Sequence, residues 1–298
     1  MTSQLNRRQL VLASAGLAAV TMIPARAFAQ EATPAPATAT DDGIDVPVLE
    51  VAFTAGGVTA TPEVPAGTVR MLASSDGTDD QGILLFRVPD DQDIDEILAL
   101  AVSETPPPDW FWSTTFPGSV RNDAHVPSVA EGFIVLDPGA YILLDDFVHS
   151  AALIIATGEA GAPIDIPATL HVVAEDSMTF TGLEEPIPAG RQLWQLENAG
   201  ELNHDITIFS TPEGATAGDI HGIFEMLFSG ATPEGGGDPF EGYGESNPMS
   251  TSWLSGGRSN WFYLDLEPGS YAAMCTAGDA EESLPHFMMG MIVTFTVI

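Results

Sequence analysis

Residues 270–297, SYAAMCTAGDAEESLPHFMMGMIVTFTV, carry the strongest signal in the chain. This stretch holds the only cysteine, Cys275, followed after ten residues by His286 and after four more by Met291. A thiolate, an imidazole and a thioether are soft or borderline donors, and such a set suits a transition metal. The order Cys-x10-His-x4-Met therefore predicts one ligand loop of a metal site.

A second histidine would complete the site, and His204 in the segment LENAGELNHDITIF is the best upstream candidate. Two histidines and one cysteine, with a weak axial methionine, hold the metal in mononuclear blue-copper sites. We therefore predict one type 1 copper per chain with His204, Cys275, His286 and Met291 as ligands. For Cys275 taken alone, a buried inert thiol is the alternative interpretation.

The N-terminus has the features of an export signal. Arg7 and Arg8 precede the uncharged run VLASAGLAAVTMI, and residues 27–29 offer a small-x-small cleavage site. We predict a twin-arginine-type signal peptide over residues 1–29 and a mature protein in the periplasm, the cell envelope or the medium. Since a membrane span needs roughly 20 apolar residues, no span is expected in the mature chain. An uncleaved N-terminal anchor is the alternative.

Composition limits the classes of partner. The chain has 42 acidic residues against 8 basic ones, all arginine, and a formal net charge of −34. Nucleic acid and anionic membranes attract Lys and Arg, so neither is an expected partner. The acidic excess either steers a partner with a basic docking surface or keeps the protein soluble.

Two domains are predicted after a disordered Pro/Ala/Thr linker over residues 30–43. A weak repeat relates VPAGTVRMLASSDGTDDQGILLFRVPD, from Val64, to IPAGRQLWQLENAGELNHDITIFSTPE, from Ile187. Further on, LDPGAYILLDD resembles LEPGSYAAMCT. The boundary is expected within residues 157–163, which gives domains of 44–160 and 164–298.

The secondary structure is predicted to be mostly β. Short runs rich in Val, Ile, Thr and aromatic residues are typical of strands, and clear cases are 170–173, 205–209, 261–266 and 291–297. One short helix is expected in each half. In the second half, apolar residues from Ile220 to Phe228 recur at helical spacing after Asp219, which we predict as the N-cap.

Taken together, these motifs resemble tandem cupredoxins of the plastocyanin and azurin superfamily. Each half has a DPG-Y or EPG-Y strand near its end, and the second adds NHD, Cys, PH and GM. The resemblance covers residues 44–298 and is specific in the last 35. It implies an all-β fold of two Greek-key β-sandwiches. It also implies that His204 ends a strand, and that Cys275, His286 and Met291 lie on the loop joining the last two strands.

The first domain is predicted to be a degenerate cupredoxin without copper. Along the repeat, Gln81 aligns with His204 and Asp145 aligns with Cys275, and nothing in the first half corresponds to PHFMMGM. His125 and His149 remain there, but two histidines without a thiolate are weak evidence for a metal.

The immediate neighbours of His204 depart from the family pattern. Members of the family often have Asn or Ser after the first ligand histidine, where it hydrogen-bonds the surroundings of the thiolate. Here Asp205 follows and Asn203 precedes. These two residues are expected to tune the copper ligands from outside the coordination shell.

A four-ligand type 1 copper has no open position for a substrate, so the site predicts single-electron transfer and not catalysis. Met274 and Thr276 flank Cys275, so the histidines that bring further copper to related enzymes are missing there. We predict an exported electron carrier with a redox protein partner, and not an enzyme. The sequence does not decide the oligomeric state, and an oligomer could form further copper sites at its interfaces.

Two alternatives belong to other functional classes. The cluster Met288, Met289 and Met291 beside His286 would suit Cu(I) in a copper transport or storage protein of the envelope. A metal-free cupredoxin-like interaction module is the other alternative, and it would be indifferent to changes of the ligand residues.

Overall fold

The structure is a computed structural model that describes residues 39–77, 82–103, 105–121, 128–145, 149–162, 164–231, 238–280 and 283–298. The predicted signal peptide, Gln81 and His125 lie outside these residues. None of the helices in the described ranges is long and apolar enough to span a membrane.

Within the described ranges, each half has eight strands and one α-helix. The first half comprises β1 Val48–Thr54, β2 Gly57–Ala60, β3 Glu63–Pro65, β4 Gly67–Ser75, β5 Leu84–Arg87, α1 Ile94–Ala101, β6 Ser128–Leu136, β7 Gly139–Asp145 and β8 Ser150–Thr157. The second comprises β9 Leu170–Glu175, β10 Thr179–Thr181, β11 Gly190–Asn198, β12 Thr207–Thr211, α2 Ala217–Phe228, β13 Met249–Ser250, β14 Ser259–Leu266, β15 Gly269–Met274 and β16 Ile292–Val297. The described residues also form two 3-10 helices, Asp109–Ser113 and His286–Met289.

The strands form two β-sandwiches that share one long sheet. Its eight strands run in the order β10-β9-β11-β14-β6-β4-β1-β2, so each half contributes four. The sheet β3-β8-β7-β5 completes the first sandwich, and β13-β12-β15-β16 completes the second. The all-β prediction, with one short helix in each half, is confirmed.

Strand registers repeat between the two halves. In β4 and β6, Gly67 is opposite Leu136, and in β11 and β14, Gly190 is opposite Leu266. These are the positions that the sequence repeat aligns. The same holds in the smaller sheets, where β5 pairs with β7 as β12 pairs with β15. The repeat is therefore a repeat of structure, and Asp145 occupies the place in the first half that Cys275 occupies in the second.

The halves meet along β6 and β14, which pair antiparallel with Trp261 opposite Phe133. Beside this seam, the first-half aromatic residues Phe111 and Phe116 pack on Trp253, with ring centroids 6.1 and 5.2 Å away. One apolar core extends through both sandwiches. The domain boundary within residues 157–163 stays a prediction.

The predicted N-cap of the second helix was wrong by three residues. Thr216 is the N-cap of α2, since its side chain accepts from the backbone of Asp219. The Asp219 side chain accepts in return from the backbone of Thr216, which makes a capping box. Asp219 is therefore the third residue of the first turn, where an acidic side chain also favours the helix dipole.

The end of the predicted linker is held against the protein. Residues 39–46, here called the N-terminal strap, run over the outer face of the shared sheet. Thr40 donates its backbone N–H to Glu131 at 2.8 Å, and Asp42 lies 2.6 Å from the buried guanidinium of Arg70. Ile44 and Val46 pack on a small apolar cluster. Residues 30–38 lie outside the described ranges, so the disordered linker remains a prediction there.

Candidate metal centre

Two neighbouring strands and one 3-10 turn bring three predicted ligands together. His204 precedes β12 and forms an antiparallel bridge with Leu254, with N···O distances of 3.1 and 2.7 Å. Cys275 directly follows β15, which pairs with β12 with Thr207 opposite Met274. His286 begins the 3-10 helix that leads into β16. The fold therefore brings Cys275 and His286 beside His204, although they lie 71 and 82 residues further along the chain.

The three side chains form a compact triangle. The Cys275 sulfur lies 3.7 Å from Nδ1 of His204 and 3.5 Å from Nδ1 of His286. The two Nδ1 atoms are 3.1 Å apart. All three residues are fully buried. They are the one group of His, Cys, Asp and Glu in the described part of the chain that is arranged to hold a metal ion.

The triangle has the size that a metal ion requires. A point equidistant from its three corners lies about 2.0 Å from each. That equals a typical metal–imidazole bond length and is within about 0.3 Å of a metal–thiolate one. Two imidazole nitrogens and one thiolate in trigonal arrangement are a donor set for copper. The residues present therefore fit the predicted group.

Backbone hydrogen bonds fix the ligand loop and place Met291 against it. Cys275 donates its N–H to the carbonyl of Met291 at 3.1 Å, and Met291 donates to that of His286 at 3.0 Å. His286 in turn donates to Ala277 at 2.9 Å. Met291 is fully buried in the same core as Cys275. Its role as a fourth, axial ligand stays a prediction.

Asp205 lies beside the Cys275 sulfur. Its backbone N–H points at the Cys275 sulfur at 3.4 Å. Its carboxylate is buried and accepts from the backbone N–H and the hydroxyl of Thr276, both at 2.5 Å. Asn203, the other expected neighbour, instead accepts from the hydroxyl of Ser255 at 3.0 Å. Asp205 thus ties the two ligand strands together beside the sulfur.

Burial sets the protonation of the metal-free site. It raises the pKa of the Cys275 thiol well above its ordinary value, and the charge of Asp205 raises it further. Burial and the neighbouring His286 lower the pKa of His204. Both shifts favour neutral donors, and a bound cation would reverse that preference at the sulfur by stabilising the thiolate.

Sequence reasoning missed two carboxylates that contact the outward nitrogens of the histidines. Nε2 of His204 lies 3.3 Å from Asp176, and Nε2 of His286 lies 3.1 Å from Asp279. Asp279 could have been suspected, because it lies within the ligand loop. Asp176 gave no signal, since it sits 28 residues before His204 in the turn between β9 and β10.

A polar cleft of about 460 Å³ opens between the two halves, and Asp279 is part of its wall. Trp112 lines it from the first half, and Glu201, Asn203 and Asp279 line it from the second. The cleft therefore reaches the side of the site where the histidines turn their Nε2 edges outward.

The corresponding place in the first half is built differently. Asp145 is buried there and accepts from the backbone of Gly82 at 3.2 Å. His149 lies in the turn before β8 with a φ of 50°. The remaining histidines of the second half are also separate, since His171 is exposed and His221 contacts the carbonyl of Met288 at 3.0 Å.

The two halves share their strand registers, and His204, Cys275 and His286 meet beside the end of β15. Both halves have a cupredoxin-like fold. No protein-family model and no curated protein matches the sequence. Among solved structures, an auracyanin from the photosynthetic bacterium Roseiflexus castenholzii, in a dithionite-reduced form, is 18% identical. It covers 45% of this chain and 99% of its own, with a TM-score of 0.30.

Two further solved structures are similar at this level. Auracyanin A, a "blue" copper protein from Chloroflexus aurantiacus, is 14% identical over 43% of this chain and 99% of its own, with a TM-score of 0.26. A copper nitrite reductase from Nitrosomonas europaea is 12% identical over 84% of this chain and 93% of its own, with a TM-score of 0.23.

Proposed function

We propose that the protein is a blue copper protein that transfers single electrons between redox partners. One type 1 copper would be held by His204, Cys275 and His286, with Met291 as the axial ligand. The observation that carries the proposal is the buried triangle of Sγ and two Nδ1 atoms with sides of 3.1 to 3.7 Å. When bound there, copper supplies one-electron chemistry by cycling between Cu(I) and Cu(II).

The residues around the triangle suit that role because they keep the donors dry and fixed. All three donor side chains are fully buried, which excludes water from the site. The loop hydrogen bonds from Cys275 and His286 hold the donors in place without a metal. A site that changes little between two oxidation states lowers the reorganisation needed for electron transfer, and a fixed donor set favours that.

The remaining parts of the proposal concern catalysis, location and partner. Four protein ligands leave no open position for a substrate, so we propose a carrier and not an enzyme. We place the mature protein outside the cytoplasm, on the strength of the signal-like residues 6–29. With a net charge of −34, the protein would attract a redox partner through a basic surface.

The test is a titration of the mature protein with Cu(II), followed by visible absorption and electron paramagnetic resonance. We expect an intense thiolate-to-copper band that saturates at one equivalent and is absent in Cys275→Ser. Met274→Leu is the matched control, because Met274 is equally buried next to Cys275 but packs on the separate cluster under α2. That variant should keep the band.

Other outcomes would separate the alternatives. Absence of the band in the wild-type protein would overturn the electron-carrier proposal. Tight Cu(I) binding that survives Cys275→Ser would then favour a copper transport or storage protein. Met289 is 45% exposed, but Met288 packs among the aromatic residues beside α2. The methionines therefore do not form a single accessible patch, which favours the carrier.

A further inference from the structure

Each of the two ligand histidines has its outward nitrogen against a carboxylate. Asp176 lies 3.3 Å from Nε2 of His204, and Asp279 lies 3.1 Å from Nε2 of His286. The histidines are fully buried, whereas the side chains of Asp176 and Asp279 are 39% and 32% exposed. The carboxylates therefore stand between the buried rings and the solvent.

The chemistry of imidazole gives these contacts a consequence. A neutral ring carries one proton, and an ionised carboxylate can only accept a hydrogen bond. A ring whose Nε2 faces a carboxylate therefore holds its proton there, which leaves the lone pair of Nδ1 free. In both histidines Nδ1 is the atom that faces the Cys275 sulfur. Hydrogen bonding to a carboxylate also makes the imidazole a stronger donor to a metal.

Asp176 is held in position by the segment that leads to His204. The backbone N–H groups of Glu201 and Leu202 donate to its two oxygens at 2.8 and 3.1 Å. A Cβ atom at Gly200 would lie 1.9 Å from Oδ1 of Asp176, so only glycine permits this approach. The turn after β9 is thus fastened to the loop that leads to His204.

Asp279 is held in a comparable way on the ligand loop. The hydroxyl of Ser283 accepts from the backbone N–H groups of Asp279 and Ala280 at 2.8 and 3.1 Å. This small turn points the Asp279 carboxylate back at His286, seven residues further along the chain. The carboxylate also forms part of the cleft wall, so it is where the site and the cleft meet.

On the basis of the proposed copper site, we propose that Asp176 and Asp279 are positioning residues for the two histidine ligands. Each carboxylate accepts a hydrogen bond from Nε2–H of its histidine. This contact keeps Nδ1 directed toward the metal and makes it a stronger donor. Because a stronger donor stabilises the higher oxidation state more, both carboxylates lower the reduction potential of the copper. They act through the histidines and do not themselves bind the metal.

The test uses Asp176→Asn, Asp279→Asn and the double variant of the full mature protein, loaded with copper. Loss of such an outer contact typically weakens metal binding by about 10-fold or more. We expect Cu(II) binding to weaken about 10-fold relative to Cu(I) in each single variant, which equals a rise of about 59 mV in the one-electron potential. The double variant should shift further, and Asp279→Glu should restore part of the change.

Glu201→Gln is the matched control, because the exposed side chain of Glu201 lines the same cleft and carries the same charge. The proposal is overturned if the aspartate variants shift the potential no more than this control, since the carboxylates would then act only as diffuse charge. Thermal unfolding of the metal-free variants, measured in parallel, separates general destabilisation from a change at the ligands.

Failure of the proposed function would look different. If the wild-type protein bound copper without a blue band, the same variants would be titrated with Co(II), which needs the two histidines and the cysteine but no redox change. A weaker Co(II) affinity in the aspartate variants, and not in Glu201→Gln, would still support positioning. A wild-type protein that bound neither metal would overturn both proposals.

Discussion

Asp205 is a buried carboxylate in direct contact with the ligand strand. Burial raises its pKa, although hydrogen bonds from Thr276 oppose the shift. An Asp at this place joins β15 to the segment before β12, because both oxygens accept from Thr276. The same carboxylate costs free energy when it ionises without a cation nearby. Its effect on stability should therefore depend on pH in the metal-free protein.

We expect Asp205→Asn to stabilise the metal-free protein at neutral pH. The folded wild-type protein keeps its proton at pH values where the unfolded chain has lost it, so its stability falls as the pH rises above about 4. Asparagine can accept from the Thr276 amide and donate to its hydroxyl without that penalty. The gain in melting temperature over wild type should grow between pH 4 and pH 7. Asp265→Asn, at an exposed position of β14, is the control and should show no such growth. An equal gain of Asp205→Asn at pH 4 and pH 7 would contradict the interpretation.

The meeting of His204, Cys275 and His286 could be predicted from the sequence, but the carboxylates around them could not. Cys275, His286 and Met291 lie on one loop, so their spacing along the chain is nearly their spacing in the fold. Asp176 reaches His204 only because β9 lies beside β11 in the shared sheet. No local pattern encodes that approach. The glycine at position 200 is consistent with the approach of Asp176, because any other side chain there would collide with it.

Among the elements, the N-terminal strap shows how polar contacts can hold a segment in place although its composition predicts disorder. Asp42 accepts from Arg70 at 2.6 Å and from the hydroxyl of Tyr263 at 2.5 Å. Although burial opposes ionisation, these contacts lower the pKa of Asp42 to about 2. Composition indicated mobility because alanine, proline and threonine dominate residues 30–40, which lead into the strap. The anchoring partners lie far along the chain, where no sequence pattern links them to the strap.

We expect Asp42→Asn to destabilise the protein by roughly 2 kcal/mol at neutral pH, the value that the lowered pKa implies. A carboxyl whose pKa falls on folding contributes stability above its unfolded pKa, and that contribution is lost as the pH falls through the folded one. The difference between variant and wild type should therefore shrink from about pH 5 toward pH 2. Urea unfolding at several pH values measures it. Asp45→Asn, at an exposed position of the same strap, should leave stability unchanged.

Helix α2 presses on the ligand loop through aromatic contacts. Phe224 is fully buried, and its ring centroid lies 4.5 Å from that of Phe287, the residue after His286. His221 adds a contact to the carbonyl of Met288 at 3.0 Å. The helical spacing of apolar residues predicted α2, and the same spacing aims Phe224 at the loop. The helix should therefore affect how long the site retains its metal.

We expect Phe224→Ala to lower stability by about 3–5 kcal/mol and to speed the release of copper to a chelator. The first effect comes from the cavity, and the second from the freedom that Phe287 and the loop gain. Phe53→Ala is the control, because Phe53 is equally buried but lies on β1 of the first half. It should lose similar stability without faster release. Equal release rates in the two variants would show that α2 has no particular effect on the site.

At the scale of the molecule, the seam between the halves combines pairing, packing and buried polar contacts. The sequence repeat predicted two domains, and the resemblance to cupredoxins implied a sandwich in each. Neither predicted a shared sheet, because backbone pairing between β6 and β14 uses groups that every residue has. Only β6 gives a sequence indication of the shared sheet. Its run GFIVL is apolar at successive positions, as in strands that are covered on both faces. Glu131 on β6 also pairs with Arg191 of the second half at 3.0 Å.

We expect the mature protein to unfold in one cooperative transition, with Asn260 among the residues that enforce it. Asn260 is fully buried, accepts from the backbone of Ser119 at 3.2 Å and donates to that of Phe133 at 3.3 Å. Asn260→Ala would remove both of these contacts to the first half, at a cost of about 1–3 kcal/mol each. Calorimetry should show one transition at a lower temperature, with equal calorimetric and van't Hoff enthalpies. Gln195→Ala removes a contact to Ser259, which lies in the same half, and should lower the transition temperature less. Two separate transitions in the wild-type protein would mean that the sandwiches fold independently despite the shared sheet.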